Sequence, residues 1–245
     1  MTNVIGAEAY SLAAYSDLIF GLRARRYEFR GYFDAEPHAR HVILRHDVDF
    51  SLPAALKIAE LEADLGVAST YFVLLRTEFY NPMSAEGFAA LSRIVQYGHV
   101  IGLHFDAALY MQDQKAMNDS VMRESGLLAD VIGCPVTVMS FHRPAPGHVG
   151  SADVIGGRVN AYAPRFVQSM GYCSDSRGAW HHGHPFDHVS IREGRALHLL
   201  THPFWWQDPP LPADVRLKRF LVDRAQFLDR ELARHCAVHQ ANGNP

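Results

Sequence analysis

The chain has 245 residues, of which 48% are hydrophobic and 20% are charged, so it can bury one large core or two small ones. We expect a single domain over 1–245. The 23 basic and 26 acidic residues leave a net charge of -3, which excludes the basic field typical of proteins that hold nucleic acid. No basic segment followed by an apolar core opens the chain, and no run approaches the roughly 18 apolar residues of a membrane span. These features predict a cytoplasmic protein without membrane insertion.

Helical and strand patterns alternate along the chain. In order, the spacing of apolar residues and the turn signals predict a helix over about 9–22, a strand at 42–44, a helix at 51–66, a strand at 70–75, a helix at 84–98, a strand at 100–103, a long helix ending at 133, a strand at 136–139, a short helix at 165–170, a strand at 197–200 and a helix over about 213–239. This order is typical of a parallel α/β sheet, open or closed into a barrel. We expect the last helix to close the fold with a stripe of four leucines, Leu217, Leu221, Leu228 and Leu232.

Two carboxylates one residue apart, Asp47 and Asp49, follow the apolar run 42–44. Such a run is typical of a strand buried on both faces, so its polar end emerges at the rim where α/β enzymes keep their catalytic groups. One carboxylate of the pair could hold a cation while the other acts as a base. An ion-paired strand end beside Arg45 explains the same residues equally well.

Polar side chains also follow the later predicted strands. Because parallel strands present their carboxyl ends on one face, we expect these side chains to share a pocket. The residues that could converge there are Asp47, Asp49, His104, Asp106, His142, Arg143, Asp175 and His202. Five polar clusters at successive strand ends favour a functional site over a chance arrangement.

The motifs carried by these clusters span residues 42–206. They are Asp47-Val48-Asp49, Gly98-His99-Val100-Ile101-Gly102-Leu103-His104, Arg143-Pro144, Asp175 with Trp180, and Leu199-Leu200-Thr201-His202-Pro203. Together they resemble the motifs of the polysaccharide deacetylase (NodB-homology) superfamily, carbohydrate esterase family four. The run 103–106 is similar to one in relatives encoded near bacterial O-antigen genes. The resemblance implies a distorted parallel (β/α) barrel and a metal-dependent hydrolase that removes an N-acetyl or N-formyl group from an amino sugar.

The resemblance also implies roles for individual residues. Asp47 resembles the catalytic base and Arg143 the residue that orients it. Asp49 and His104 resemble metal ligands, and His202 resembles the catalytic acid.

Other side chains complete this expected site. We expect Asp175 to hold the second ring nitrogen of His202, as carboxylates commonly do for a catalytic histidine. Trp180, Trp205 and Trp206 would line a cleft against the apolar face of a sugar ring, with His142 as a further substrate contact.

The chain departs from the family pattern at one metal position. The second motif normally supplies another histidine four residues after the first, and this chain has Ala108 there. We expect Asp106 to serve as the third ligand, with His46 and His142 as alternatives. A divalent metal is expected, with zinc as our first choice. A carboxylate in place of imidazole makes the site harder, so manganese and iron are the alternatives.

Three functions remain open from the sequence. The first is deacylation of a small-molecule or lipid-linked amino sugar, a precursor in bacterial surface polysaccharide (O-antigen) biosynthesis. The second is ring opening of a cyclic amide on the same fold. The third is a non-catalytic sugar-binding protein without a full metal site, which Ala108 suggests. The presence of both a base and an acid favours an enzyme, because a binding protein needs neither.

Overall fold

The computed structural model describes residues 10–110 and 113–240. The helices are α1 (Leu12–Ala24), α2 (Leu52–Asp64), α3 (Ala85–Gln96), α4 (Gln114–Ile132), α5 (Pro164–Val167), α6 (Val189–Arg192) and α7 (Ala213–His235). The strands are β1 (Glu28–Phe29), β2 (His41–Val48), β3 (Thr70–Leu74), β4 (Val100–Asp106), β5 (Val138–His142), β6 (Val154–Ile155), β7 (Arg158–Asn160), β8 (Gly171–Ser174) and β9 (Leu197–Thr201).

All of these strands join one sheet. Its order is β6-β7-β5-β4-β3-β2-β9-β8, with β1 paired to the start of β2. Every pairing is parallel except that between β6 and β7, so the carboxyl ends of the central strands lie along one rim. The predicted fold class is therefore confirmed, as a curled half-barrel of mainly parallel strands.

Strand β2 is buried along its whole length, and its side chains point alternately to the two faces of the sheet. Val42 and Leu44 face the larger core, where they pack with helix residues such as Ile58. Ile43 faces a smaller core on the concave side, beside Phe72. Arg45 and Asp47 follow Ile43 on that concave face, and the same alternation carries the chain to Asp49 at the rim.

Serine caps determine where the helices beside the site begin. The hydroxyl of Ser51 accepts a hydrogen bond from the Ala54 N–H, so α2 starts directly after the acidic pair of β2. The hydroxyl of Ser84 does the same for Gly87 at the start of α3. Both helices then pack their apolar faces on the larger core.

The last helix packs differently from the prediction. It spans Ala213–His235, but all four leucines of the predicted stripe are exposed, by 37% to 64%. Phe220 and Ala213 are the residues that pack against the core. The short strands β1, β6, β7 and β8 have no counterpart among the predicted elements, because two to four residues are too few to show a periodic pattern. None of the described helices has the length and apolarity needed to cross a membrane.

Candidate active site

Three side chains carried by strands β4 and β5 and by the end of β2 converge at the rim of the sheet. Asp49 follows β2, His104 lies on β4 and His142 ends β5. One ligand atom from each lies within 4.8 Å of the others. His104 Nε2 is 3.2 Å from Asp49 Oδ1, and His142 Nδ1 is 3.4 Å from the same oxygen.

The chemistry of this triad fits a divalent cation. Asp49 Oδ1 is buried and has no hydrogen-bond partner among the described residues, although two imidazole nitrogens lie close to it. Two imidazoles and one carboxylate form the three-protein-ligand set of catalytic zinc sites, in which a fourth position stays open for water or substrate. The other ring nitrogen of His104 is 2.7 Å from the Ser140 hydroxyl, which fixes the orientation of the ring.

The carboxylate of Asp47 lies beside this triad. Its Oδ2 is 3.6 Å from His104 Nε2. Arg45 donates from Nε to Asp47 Oδ1 and from Nη2 to Oδ2, each at 2.8 Å. The guanidinium of Arg45 is completely buried and lies over the ring of Tyr162, 4.5 Å from its centroid. This two-point contact holds the carboxylate in a single orientation.

The imidazole of His202 lies on the other side of Asp49. Its Nε2 is 3.9 Å from Asp49 Oδ2. Its Nδ1 donates to Asp175 Oδ1 at 2.6 Å, and Asp175 Oδ2 accepts from Trp206 Nε1 at 2.8 Å. Asp175 is fully buried, so the dyad presents Nε2 of His202 to the site.

Electrostatics separate the protonation states of these two groups. Burial alone would raise the pKa of Asp47, but Arg45 and the imidazoles of His104 and His202 lower it below its usual range. Burial alone would lower the pKa of His202, but Asp175, Asp49 and Asp47 raise it to about 9. The pKa of Asp49 is likewise held well below its usual range, because His104, His142 and His202 outweigh the effect of burial. At neutral pH the site therefore pairs an ionised carboxylate with a protonated imidazole, the states needed for a base and an acid.

Asp106 and Arg143 make other contacts than the sequence predicted. Asp106 Oδ2 accepts a hydrogen bond from Arg143, and its Oδ1 accepts one from the Ala108 N–H. The three residues that could hold a metal ion include His142, one of the alternatives, and do not include Asp106. The arginine that holds Asp47 is Arg45, whereas the Arg143 side chain is 67% exposed.

The geometry of the strands explains both differences. Arg45 and Asp47 are two residues apart on one strand and therefore share a face. His142 is the register partner of Asp106 on the adjacent strand, so it approaches Asp49 from the side. The spacing of Arg45 and Asp47 is a sequence signal from which their pairing could have been predicted.

The three tryptophans also differ from their expected role. Trp180, Trp205 and Trp206 are only 6%, 7% and 4% exposed, so none presents a ring face wide enough to cover a sugar. Trp206 packs edge-on against Tyr15, with ring centroids 5.1 Å apart, and Trp205 packs in the same way against Phe204 at 4.9 Å. The three rings belong to the hydrophobic core behind the site. Trp206 is linked to the site by its hydrogen bond to Asp175.

The alternative ligand His46 is also directed away from the triad. Its Nε2 contacts Glu62 Oε1 at 2.8 Å, and its Nδ1 contacts the Thr201 hydroxyl at 2.7 Å. Alternation on β2 explains this, since His46 faces the helices while Arg45 and Asp47 face the concave side.

No protein-family model matches the sequence, and no curated protein matches it. Several solved structures are similar to it in fold. A family 4 carbohydrate esterase from Bacillus anthracis is similar at a TM-score of 0.46 and 16% identity, over 86% of each chain. A family 4 acetyl xylan esterase from Clostridium thermocellum, in complex with a cobalt ion, has a TM-score of 0.40 and 13% identity over 75% of this chain and 83% of that one. A CE4 family pseudoenzyme from Bacillus anthracis has a TM-score of 0.42 and 12% identity, over 77% and 63%. These are likenesses of fold, and the chemistry proposed below rests on the residues of the site.

Proposed function

We propose that this protein is a metal-dependent hydrolase that removes a small N-acyl group, acetyl or formyl, from an amino sugar. The observation that supports it is the arrangement around Asp49. A ligand triad of Asp49, His104 and His142 lies between an ionised carboxylate held by an arginine and a protonated imidazole held by a carboxylate. Together these three elements suit hydrolysis of an amide, in which water must be activated and a poor amine leaving group must be protonated.

Asp49, His104 and His142 would hold the cation in this mechanism. When bound, a divalent cation lowers the pKa of water and polarises an acyl oxygen. Two imidazoles with one carboxylate fit zinc, and we propose zinc ahead of manganese or iron.

Proton transfer belongs to the chain's own side chains. Asp47 accepts a proton from the attacking water through the edge of its carboxylate that faces His104, while Arg45 keeps that edge in place. His202 donates a proton from Nε2 to the departing amine, and its positive charge is balanced by Asp175 across Nδ1. Arg45 favours the ionised form of Asp47, and Asp175 favours the protonated form of His202, which are the starting states that this mechanism needs.

The resemblance of the sequence motifs narrows the substrate class in this proposal. We propose a nucleotide-linked or lipid-linked amino sugar, a precursor of a bacterial surface polysaccharide such as O-antigen. Asp49 and His202 remain partly open to solvent, with 17% and 11% of their side chains exposed, so a substituent on a sugar can reach them.

The test is release of acetate or formate from a panel of N-acylated nucleotide sugars and lipid-linked sugars, with zinc, manganese or iron supplied. Asp47→Asn and His202→Ala should each reduce turnover by roughly 100- to 10,000-fold while the protein remains folded by circular dichroism. His182→Ala, in an exposed loop, is the matched control and should leave turnover unchanged. Sugar binding by metal-free protein with no acid released from any substrate would instead indicate the non-catalytic function. Ring opening of a cyclic amide without deacylation would indicate the other hydrolase.

A further inference from the structure

A cavity lies beside the start of strand β2, whereas the candidate active site lies beyond the other end of that strand. Its volume is about 480 Å³, within the range of small-molecule sites. Arg25, Arg26, Arg40 and Arg192 line it, together with aromatic side chains. Four guanidiniums around one cavity are notable in a chain whose net charge is -3.

The position of Arg40 separates this cavity from the active site. Arg40 directly precedes β2, whereas Asp49 follows the other end of that strand. Nine residues of extended chain span about 30 Å. A ligand in this cavity would therefore not touch the catalytic groups.

Within residues 10–110 and 113–240, none of the four arginines of the cavity forms an ion pair with a carboxylate. The nearby Glu193 pairs with Arg195 at 2.7 Å. Burial lowers the pKa of His188, and the charges of Arg195 and Arg192 lower it further, which is a sign of positive potential on this face.

Two of the guanidiniums contact other parts of the fold without being neutralised. Arg25 lies over the ring of Phe186, 4.1 Å from its centroid, and donates to the Gly21 carbonyl at 2.9 Å. Arg40 lies against Gly194, where a Cβ would come within 2.5 Å of Arg40 Nη2. Gly194 has a φ of +69°, so glycine suits this position both for its backbone and for the space it leaves to Arg40. The contacts of Arg25 with Phe186 and Gly21 order its guanidinium, which reduces the entropy that it loses on binding a ligand.

Arg26 lines this cavity from an unusual backbone position. It follows α1 at the position where helices usually place glycine, and its φ is 62°. Its N–H bonds to the Arg23 carbonyl at 2.7 Å, and the Tyr27 N–H bonds to the Leu22 carbonyl at 3.1 Å, as in a helix-ending turn. The chain thus keeps an arginine in a backbone conformation that glycine adopts at lower cost.

We propose that this cavity binds a small molecule through its phosphate or diphosphate group. A phosphate group offers several acceptor oxygens and up to two negative charges, so it can engage more than one guanidinium fork, whereas a single carboxylate fills one. The partly exposed ring of Phe186 gives the remainder of such a ligand an apolar contact.

The probe is inorganic pyrophosphate, titrated calorimetrically into chelator-treated full-length protein at about 0.15 M NaCl. We expect saturable binding that Arg40→Gln with Arg192→Gln weakens roughly tenfold or more. Arg93→Gln with Arg123→Gln removes the same charge from α3 and α4 and should change nothing. Asp49→Asn should bind as tightly as the parent, which excludes binding at the active site.

Arg26→Gly separates a ligand role from a helix-ending role. It should keep or raise the melting temperature, because glycine suits the left-handed backbone, and yet weaken pyrophosphate binding. Equal binding by the cavity variants and the parent would overturn the proposal.

A parallel flotation assay compares vesicles of phosphatidylcholine alone with vesicles that also contain phosphatidylglycerol. Binding of pyrophosphate identifies a soluble phosphorylated ligand. Binding only to the anionic vesicles, lost in the Arg40→Gln with Arg192→Gln variant, identifies a phospholipid headgroup as the source of the phosphate. Binding to neither overturns the proposal.

Discussion

Arg45 and Asp47 form an ion-paired unit on one strand, where they lie two residues apart. The unit needs no other element to assemble, since alternation already places both side chains on the concave face. Arg45 also donates to both carboxylate oxygens of Asp47, so the orientation of this proposed base depends on a residue from its own strand.

We therefore expect Arg45→Lys to lower turnover on the order of 100-fold, because a lysine keeps the charge but cannot hold both oxygens of Asp47. Steady-state kinetics would measure the loss, and urea denaturation would show that the variant is folded. Arg143→Lys is the matched control. Its exposed ion pair with Asp106 is worth about 1 kcal/mol or less, which limits the effect to about fivefold. A larger loss in Arg143→Lys would favour Arg143 as the residue that orients the base.

Single substitutions can also identify the third ligand of the proposed metal. His142→Ala should remove most of the bound metal, because the triad then keeps only two protein ligands. Asp106→Ala should retain the metal, because its carboxylate binds Arg143 and the Ala108 N–H. Elemental analysis of both purified variants measures this directly. Loss of metal from Asp106→Ala and not from His142→Ala would restore Asp106 as the ligand.

Helix α7 contacts the rest of the fold through an aromatic residue. Phe220 packs edge-on against Phe204, with ring centroids 5.4 Å apart, and lies 6.0 Å from both Phe50 and Phe79. The adjacent Leu221 is 64% exposed. The helix is therefore attached at its first turns, next to the segment that follows Asp49.

Two neighbouring substitutions test this description of α7. Phe220→Ala should lower the free energy of unfolding by about 2 kcal/mol, less than for a fully buried phenylalanine. Leu221→Ser should change it by less than about 0.5 kcal/mol. Urea denaturation gives both values. Equal destabilisation by the two changes would mean that the leucine stripe is covered in solution.

A single buried carboxylate connects several elements of the whole molecule. Glu62 on α2 accepts hydrogen bonds from Tyr15 on α1, from Tyr71 on β3 at 2.7 Å and from Ser69 at 2.6 Å. Its contact with His46 on β2 completes this network behind the site. Burial alone would raise the pKa of Glu62, but His46, His99 and Ser69 lower it to about 2 from an ordinary value near 4.5.

This shift predicts how stability depends on pH. A folded-state pKa below the unfolded value stabilises the fold above about pH 4.5, and the contribution is lost as the pH falls toward 2. The difference corresponds to about 3 kcal/mol. Glu62→Gln should be less stable at pH 7, and its deficit relative to the parent should shrink by about this amount between pH 5 and pH 2. Urea denaturation of both proteins across that range checks the slope, and a constant deficit would contradict it.

The sequence alone determined the parallel α/β fold. The apolar strand runs and the capped helices between them are local patterns, and local chemistry suffices to form them. Their order then places the polar strand ends on one rim. This is why Asp47, Asp49, His104 and His202 could be named as neighbours although they span most of the chain.

Only the tertiary structure decided which of these residues contact one another. Register sets His142 beside Asp106, and the position of Asp49 at the rim then selects the imidazole for the triad. Tertiary packing also decided which side chains are buried. Trp206 is enclosed by aromatic rings from distant segments, such as Tyr15, whereas Leu221 on α7 is exposed to solvent. A periodic pattern reports which face a side chain is on, whereas its partner depends on distances between strands and helices that are far apart in the chain.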